Sequence, residues 1–173
     1  AVIAEPYSLM DEEQYTTSGF QSVSLPETIW GYTFSGSTSN ANSSFASYVS
    51  LTVNDFSQNK GVYMAIDNRL YDQIPDTDYR KKNFLSAEQV AKGGEFEGYP
   101  QYTNIKFNTP TYEVDEVYMR LSEAYLLKAE AEARGGNDAA AQQTLYDLVS
   151  KRDSGYTKSS KTGDALLEEI YLQ

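Results

Sequence analysis

The segment from Asp115 to Asp153 constrains the fold most, because its pattern predicts two antiparallel helices joined by a glycine turn. Gly135 and Gly136 end the first helix, since glycine adopts the left-handed conformation that is common just after a helix C-terminus. Apolar residues recur at steps of three and four, the period of one helical face. They are Val117, Tyr118, Leu121, Tyr125, Ala141, Leu145, Leu148 and Val149. We therefore expect helices over 115–134 and 138–152, each apolar on one side only, so that the pair must pack against other elements.

The hairpin also resembles a tetratricopeptide unit, a repeat of two helices. The matching positions are Tyr118, Leu121, Ser122 and Tyr125 in the first helix, and Ala141 and Leu145 in the second. The gap from Tyr125 to Ala141 is 16 residues, about two helical turns longer than the roughly 9 residues of the repeat. Stacked arrays need about three units, and the sequence contains one complete unit. The chain is therefore either one member of a larger array or a lone hairpin.

The region before the hairpin, residues 1–112, predicts a loop-rich architecture with short helices and sparse β-structure. Runs of β-branched and aromatic residues predict one short strand at 28–34 and a second at 104–107. Small polar residues at 35–44 predict a loop. Short helices are expected within 45–56, within 65–72 and at 76–81. Together with the tetratricopeptide-like helical region at 113–173, this predicts a single, mainly α domain with a helix hairpin, further helices, irregular loops and one or two short β-strands.

The composition excludes several kinds of function. A net charge of −11 argues against binding to nucleic acid or to anionic lipid, which both need an excess of Lys and Arg. The chain has no cysteine, hence no disulfide, and no histidine, the commonest residue of acid–base catalysis and zinc binding. No stretch approaches the ~20 apolar residues of a membrane-spanning helix. We therefore expect no catalytic residue, no metal site and no cofactor.

Aromatic residues point instead to a binding surface. The chain has 15 tyrosines against 7 phenylalanines, and tyrosine combines an apolar ring with a hydroxyl that can face water. The predicted ligand-binding residues follow the polar loop and interleave rings with polar side chains; they are Tyr48, Asn54, Asp55, Phe56 and Tyr63. Tyr99 and Tyr102, which flank Pro100, are a second candidate. Trp30 is predicted to pack in the core, because apolar and aromatic residues surround it in a β-rich run.

Several motifs together resemble the C-terminal region of SusD/RagB-type proteins, the surface glycan-binding lipoproteins of Bacteroidota. The most specific is YMRLSEAYLLKAEA at 118–131, which is similar to the family's helix YMRLAEAYLLKAEA. Shorter matches lie at 7–10, 27–31, 66–72, 78–82 and 166–170. The resemblance covers about residues 7–172, roughly a third to a half of a family member. It implies a single SusD-like domain truncated at both ends, without the family's lipid-anchored N-terminal cysteine.

The resemblance implies a protein that is not an enzyme. Family members lie on the outer face of the outer membrane, lipid-anchored in the full-length protein. There they capture oligosaccharides for a TonB-dependent, SusC-like transporter. Their helices form a scaffold, and aromatic residues on loops stack on sugar rings. One alternative is a helical interaction scaffold that docks on the transporter, with no sugar contacts in this region. A glycoside hydrolase is a more distant alternative, since nothing in the sequence spacing singles out the pair of carboxylates that cleavage of a glycosidic bond requires.

Overall fold

The fold comes from a computed structural model that describes residues 3, 6–34, 45–52, 63–109, 111 and 113–173. Within these residues the chain is mainly helical with one two-stranded antiparallel sheet, which confirms the predicted fold class. In chain order the elements are α1 (Glu12–Thr17), β1 (Thr28–Tyr32), α2 (Phe45–Val49), α3 (Asn68–Tyr71), a 3₁₀ helix (Tyr79–Asn83), α4 (Ala87–Val90), β2 (Glu116–Arg120), α5 (Leu121–Arg134), α6 (Asp138–Arg152) and α7 (Gly163–Tyr171). None of these described helices is both long and apolar enough to cross a bilayer.

Helices α5 and α6 form the predicted hairpin. The turn between them contains Gly136, whose φ of +77° lies in the left-handed region. Asn137 caps α6, because its side chain accepts a hydrogen bond from the backbone N–H of Ala140 at 3.3 Å. Helix α7 packs against both and completes a core whose buried members are Ala129, Ala133, Ala141, Leu145, Val149, Leu166 and Ile170. The alanines keep the contacting faces thin, so that the helices approach closely.

The prediction of a helix from residue 115 onward is wrong for its first residues. Residues 116–120 form β2, and α5 begins only at Leu121. The facing pairs of the sheet are Thr28 and Arg120, Trp30 and Met119, Gly31 and Val117, and Tyr32 and Glu116. Backbone pairing with β1 therefore overrides the three- and four-residue period of the apolar side chains. As a result Tyr118, which that period assigns to a helix face, lies on a β-ribbon.

The predicted strand at 104–107 does not form. Asn104 makes one isolated bridge with Phe84, and Thr103 makes another with Ala65. The chain then turns, with the backbone N–H of Asn108 donating to the carbonyl of residue 105 at 3.1 Å. The partner of β1 is thus β2, not the run at 104–107. The strand at 28–34 and the helix within 45–56 are confirmed, as β1 and α2.

Two aspartate–arginine pairs of the same local form cap α3 and the 3₁₀ helix, the short elements found where helices are predicted at 65–72 and 76–81. Asp67 accepts from the N–H of Arg69, and Asp78 from the N–H of Arg80, each at 2.9 Å. Each carboxylate also pairs with the guanidinium of that arginine. The first pair is exposed, whereas the side chain of Asp78 is only 1% exposed. Arg152 of α6 lies 3.5 Å from Asp78 as well, so this carboxylate joins the loop-rich region to the helix hairpin.

A second, smaller core packs where α1 meets the 3₁₀ helix. Its buried members are Met10, Tyr15, Phe20 and Tyr79. The rings of Tyr15 and Phe20 meet edge to face at 5.2 Å, and the hydroxyl of Tyr79 donates to the carbonyl of Met10 at 2.9 Å. Phe20 of this core also lines a cavity that is described below.

Candidate functional site

Three strongly exposed aromatic side chains lie on the two-stranded sheet. Trp30 and Tyr32 belong to β1 and Tyr118 to β2, and they are 62%, 48% and 52% exposed. The ring centroids of Trp30 and Tyr118 lie 5.2 Å apart, with 57° between the ring planes. We call these three residues the aromatic ribbon. It is a surface on which a flat, partly apolar ligand can stack.

The prediction that Trp30 packs in the core is wrong. Along β1, Thr28 is buried and Trp30 is exposed. The pairing of β1 with β2 is irregular on both sides of Trp30, and such irregularities redirect side chains. Trp30 faces Met119 in the register but its ring contacts Tyr118. The sequence shows that the neighbours of Trp30 are apolar, but the pairing of β1 with β2 determines which side chains of the strand are buried.

Gly31 brings the ribbon close to the chain beneath it. A Cβ atom at Gly31 would lie 2.6 Å from the carbonyl oxygen of Glu116 and 2.8 Å from Cγ1 of Val23. Val23 is itself anchored, because its N–H donates to the carboxylate of Asp115 at 2.9 Å. Only glycine fits this contact. The close approach restrains the backbone of β1 between Trp30 and Tyr32.

A cavity of about 220 Å³, the ribbon cavity, opens beside the aromatic ribbon. Tyr118 belongs to both. The ribbon cavity is lined by aromatic and charged side chains that include Phe20, Phe45, Lys106, Phe107, Asp115, Glu116 and Arg120. The ring of Phe107 meets Phe45 edge to face at 5.0 Å and Phe20 at 5.9 Å. The site therefore combines an exposed stacking surface with an adjoining concave pocket.

Lys106 lies against the aromatic wall of the ribbon cavity. Its Nζ is 4.7 Å from the ring centroid of Phe20 and 5.0 Å from that of Phe107. The guanidinium of Arg120 lies 4.9 Å from the same Phe20 ring. Burial, followed by the positive charge of Arg120, lowers the pKa of Lys106 to about 8. Lys106 is therefore a cation in a partly apolar site, next to a second cation.

The free energy of unfolding should depend on pH through Lys106. Its pKa in the folded chain, about 8, lies below the ordinary value of 10.5. Between these values the unfolded chain binds more protons than the folded one, so stability rises with pH across this window. Replacing Lys106 with methionine removes this titration. The variant should gain stability relative to wild type at about pH 7, and that gain should shrink by about pH 10 in urea titrations. If the variant and wild type differed in free energy of unfolding by the same amount at both pH values, the lowered pKa would be contradicted.

The structure places two of the five predicted ligand-binding residues. Tyr48 is exposed on α2, the helix whose Phe45 lines the ribbon cavity. Tyr63 is half-buried, and its ring lies 5.4 Å from that of Tyr99. The other three, Asn54, Asp55 and Phe56, lie outside the described residues. A ligand-binding role for these five stays a prediction.

The second predicted pair of tyrosines separates in the structure. Tyr99 contacts Tyr63 and also Phe96, at 6.1 Å between ring centroids. Tyr102 packs instead on Tyr71 at 4.9 Å. Tyr99 thus joins the predicted residue Tyr63 in one aromatic group, and Tyr102 belongs to another.

The fold and the site define a class of protein: a helix-hairpin scaffold that carries an exposed aromatic surface on a short β-ribbon. A SusD-like carbohydrate-binding protein from Bacteroides vulgatus matches over 99% of this chain at 28% identity, with a TM-score of 0.72. A SusD superfamily protein from Bacteroides thetaiotaomicron matches over 98% at 19% identity and a TM-score of 0.65. Surface glycan-binding protein A from the same species matches over 99% at 17% identity and a TM-score of 0.60. Over nearly its whole length the chain is therefore structurally similar to SusD-like proteins, in agreement with the resemblance of its motifs.

This chain spans 35%, 39% and 44% of the length of these three proteins. The similarities at 19% and 17% identity establish the fold alone. The first and third proteins are described as carbohydrate-binding or glycan-binding, and not as enzymes. No family model and no curated protein matches the sequence.

Proposed function

We propose that this chain forms the sugar-contacting part of a surface protein that binds oligosaccharides and delivers them to a TonB-dependent outer-membrane transporter. The observation that carries the proposal is the exposed aromatic ribbon, on a chain that is 28% identical to a SusD-like carbohydrate-binding protein. A sugar ring has apolar C–H faces and a rim of hydroxyl groups. It therefore needs a flat ring to stack on and polar side chains at the edge.

The surroundings of the aromatic ribbon supply both requirements. Trp30 and Tyr118 present their rings to solvent 5.2 Å apart. The hydroxyl of Tyr118 donates to Oε2 of Glu116 at 2.8 Å, which orients a carboxylate at the edge of the ring. Lys106 and Arg120 add hydrogen-bond donors in the adjoining cavity. A saccharide can thus stack on the ribbon while its hydroxyl groups reach polar groups on one side.

The remaining features of the proposal concern location, partner and the rest of the site. We place the protein on the extracellular face of the outer membrane, lipid-anchored in its full-length form, with a SusC-like transporter as partner. Structural similarity to surface glycan-binding proteins of two Bacteroides species supports this location. The predicted residues around α2, including Tyr48, would extend the sugar contacts beyond the ribbon cavity. The protein acts by binding and not by catalysis.

A second candidate function is a helical scaffold that docks on the transporter without touching sugar. It is favoured by exposed apolar side chains on α5 and at the end of α7, namely Leu127, Tyr171 and Leu172. Apolar surface of this kind marks contacts between proteins. The two functions separate in one experiment, since only the first requires the aromatic ribbon to bind saccharides.

Replacing Trp30 or Tyr118 with alanine should weaken glycan binding about tenfold. That factor corresponds to about 1.4 kcal/mol, within the range for an aromatic contact. Affinity electrophoresis against a panel of polysaccharides, followed by calorimetry on those that bind, measures the effect. Trp30→Phe should retain most of the affinity because it keeps a stacking ring.

Leu127→Ala is the matched control, because it removes an exposed apolar side chain from α5 and leaves the ribbon intact. Thermal melts should be similar for the control and the ribbon variants, as all three side chains are exposed. Full glycan binding by the Trp30→Ala and Tyr118→Ala variants would refute a role for the ribbon. Capture of the transporter by a chain that binds no glycan would favour the scaffold.

A further inference from the structure

We infer that the ribbon cavity binds the carboxylate of an acidic sugar, with Lys106 and Arg120 as its cationic contacts. The inference rests on the proposed function and narrows it, from glycans in general to those that contain uronic acids or other sugars with a carboxylate.

Within the described part of the chain, Lys106 is a cation without an ion-pair partner. Its ammonium group lies against the rings of Phe20 and Phe107 and forms no ion pair with any described residue. Arg120 is paired with the carboxylate of Glu27 at 3.3 Å. Glu27 also accepts a hydrogen bond from the backbone N–H of Met10 at 2.9 Å. Glu27 is thus shared between Arg120 and the backbone of Met10, and it forms no ion pair with Lys106.

Two carboxylates on the lining of the ribbon cavity accept hydrogen bonds from neighbouring groups. Asp115 accepts from the N–H of Val23 at 2.9 Å, and Glu116 accepts from the hydroxyl of Tyr118 at 2.8 Å. Neither forms an ion pair with Lys106 or Arg120 among the residues that the structure describes. Arg80, whose charge also acts on Lys106, is paired with Asp78 at 2.7 Å. No described carboxylate is therefore paired with Lys106, and its ammonium group can form an ion pair with a ligand.

The aromatic wall holds the two cations without neutralising them. The ring of Phe20 lies within 4.9 Å of both Lys106 and Arg120, and the face of an aromatic ring attracts cations. The backbone of Phe20 has a φ of +50°, which is uncommon for an aromatic residue, and follows Gly19 at +59°. Backbone conformations of this kind persist where the surrounding structure imposes them, and they cluster at binding sites. Here the conformation presents one ring to two like charges.

The shape of the site links the cations to the stacking surface. Tyr118 belongs both to the aromatic ribbon and to the lining of the ribbon cavity. The cavity volume of about 220 Å³ is several times the roughly 30 Å³ that a water molecule occupies in the liquid. It has room for a carboxylate and part of a pyranose ring. A sugar that stacks at Tyr118 can therefore place an exocyclic carboxylate in the cavity.

The test compares acidic polysaccharides with their neutral counterparts, on the whole chain. The probes are polygalacturonate, glucuronoxylan and alginate, each beside its carboxyl-reduced form, in affinity gels and by calorimetry. At least one acidic form should bind about tenfold more tightly than its reduced form, and added salt should diminish the difference. Lys106→Met should abolish the difference, while Lys106→Arg retains it. Lys92→Met, at an exposed loop position, changes the net charge equally and should leave it intact.

Proton uptake gives a readout that does not depend on a variant. A carboxylate bound beside Lys106 favours its charged form, so binding near pH 8 should take up protons. Calorimetry in buffers of different ionisation enthalpy measures this uptake. Binding of acidic and reduced forms with equal affinity, or without proton uptake, would overturn the inference and leave the proposed function standing. Failure to bind any polysaccharide, neutral or acidic, would overturn both.

Discussion

Replacing Asp78 with alanine is expected to lower the free energy of unfolding by about 3–5 kcal/mol, because it removes one partner of a buried ion pair. The side chain of Asp78 is 1% exposed and lies 2.7 Å from the guanidinium of Arg80 and 3.5 Å from that of Arg152. Without it, Arg152 loses its carboxylate partner in a buried position, and the 3₁₀ helix loses its N-cap. Urea titration followed by circular dichroism measures the change.

Asp67→Ala is the matched control, since Asp67 makes the same contacts with the arginine two residues later. It accepts from the N–H of Arg69 and pairs with its guanidinium at 2.8 Å. That pair is exposed to solvent, and exposed pairs contribute little to stability. The effect should therefore be much smaller than for Asp78. Equal effects at the two positions would mean that burial does not determine the importance of the Asp78 pair.

The second large effect is expected for Leu145→Ala, which should cost about 2–5 kcal/mol. Leu145 of α6 is 0% exposed and belongs to the core that α6 forms with α5 and α7, so its truncation leaves a cavity in the main core. Leu127→Ala on the exposed side of α5 should stay within about 0.5 kcal/mol of wild type. Urea midpoints of the two variants, measured in the same buffer, test both expectations. A midpoint for the Leu145 variant as high as that of the control would show that this core is not what stabilises the hairpin.

The helix hairpin is predictable from sequence because its signals are local. The turn needs a left-handed residue, which Gly136 provides, and a cap, which Asn137 provides. The stretch at 116–120 has the same apolar period as a helix but lies opposite β1. The period of the apolar residues does not reveal pairing with a segment that is distant in sequence. The first residue of α5 could therefore not be predicted.

The sequence predicts an aromatic binding surface, but it does not indicate which residues form the candidate site. The abundance of tyrosine indicates a binding surface, and the exposed ring of Tyr118 agrees with it. The exposure of Trp30 and the lack of an ion pair between Lys106 and any described residue could not be predicted, because burial and charge pairing depend on tertiary contacts. The ring that both Lys106 and Arg120 contact comes from Phe20, and nothing in the local sequence links these three positions.

The tight contact at Gly31 bears on the entropy of ligand capture. Because the backbone there lies against the carbonyl of Glu116 and the side chain of Val23, the strand beneath Trp30 has little conformational freedom before a ligand arrives. A flexible loop would lose that freedom at the moment of binding, at a cost in affinity. In the aromatic ribbon this conformational freedom is already lost during folding. A sugar that stacks on Trp30 and Tyr118 is therefore opposed mainly by the restriction of its own motion, and even a short saccharide can gain from a surface of two rings.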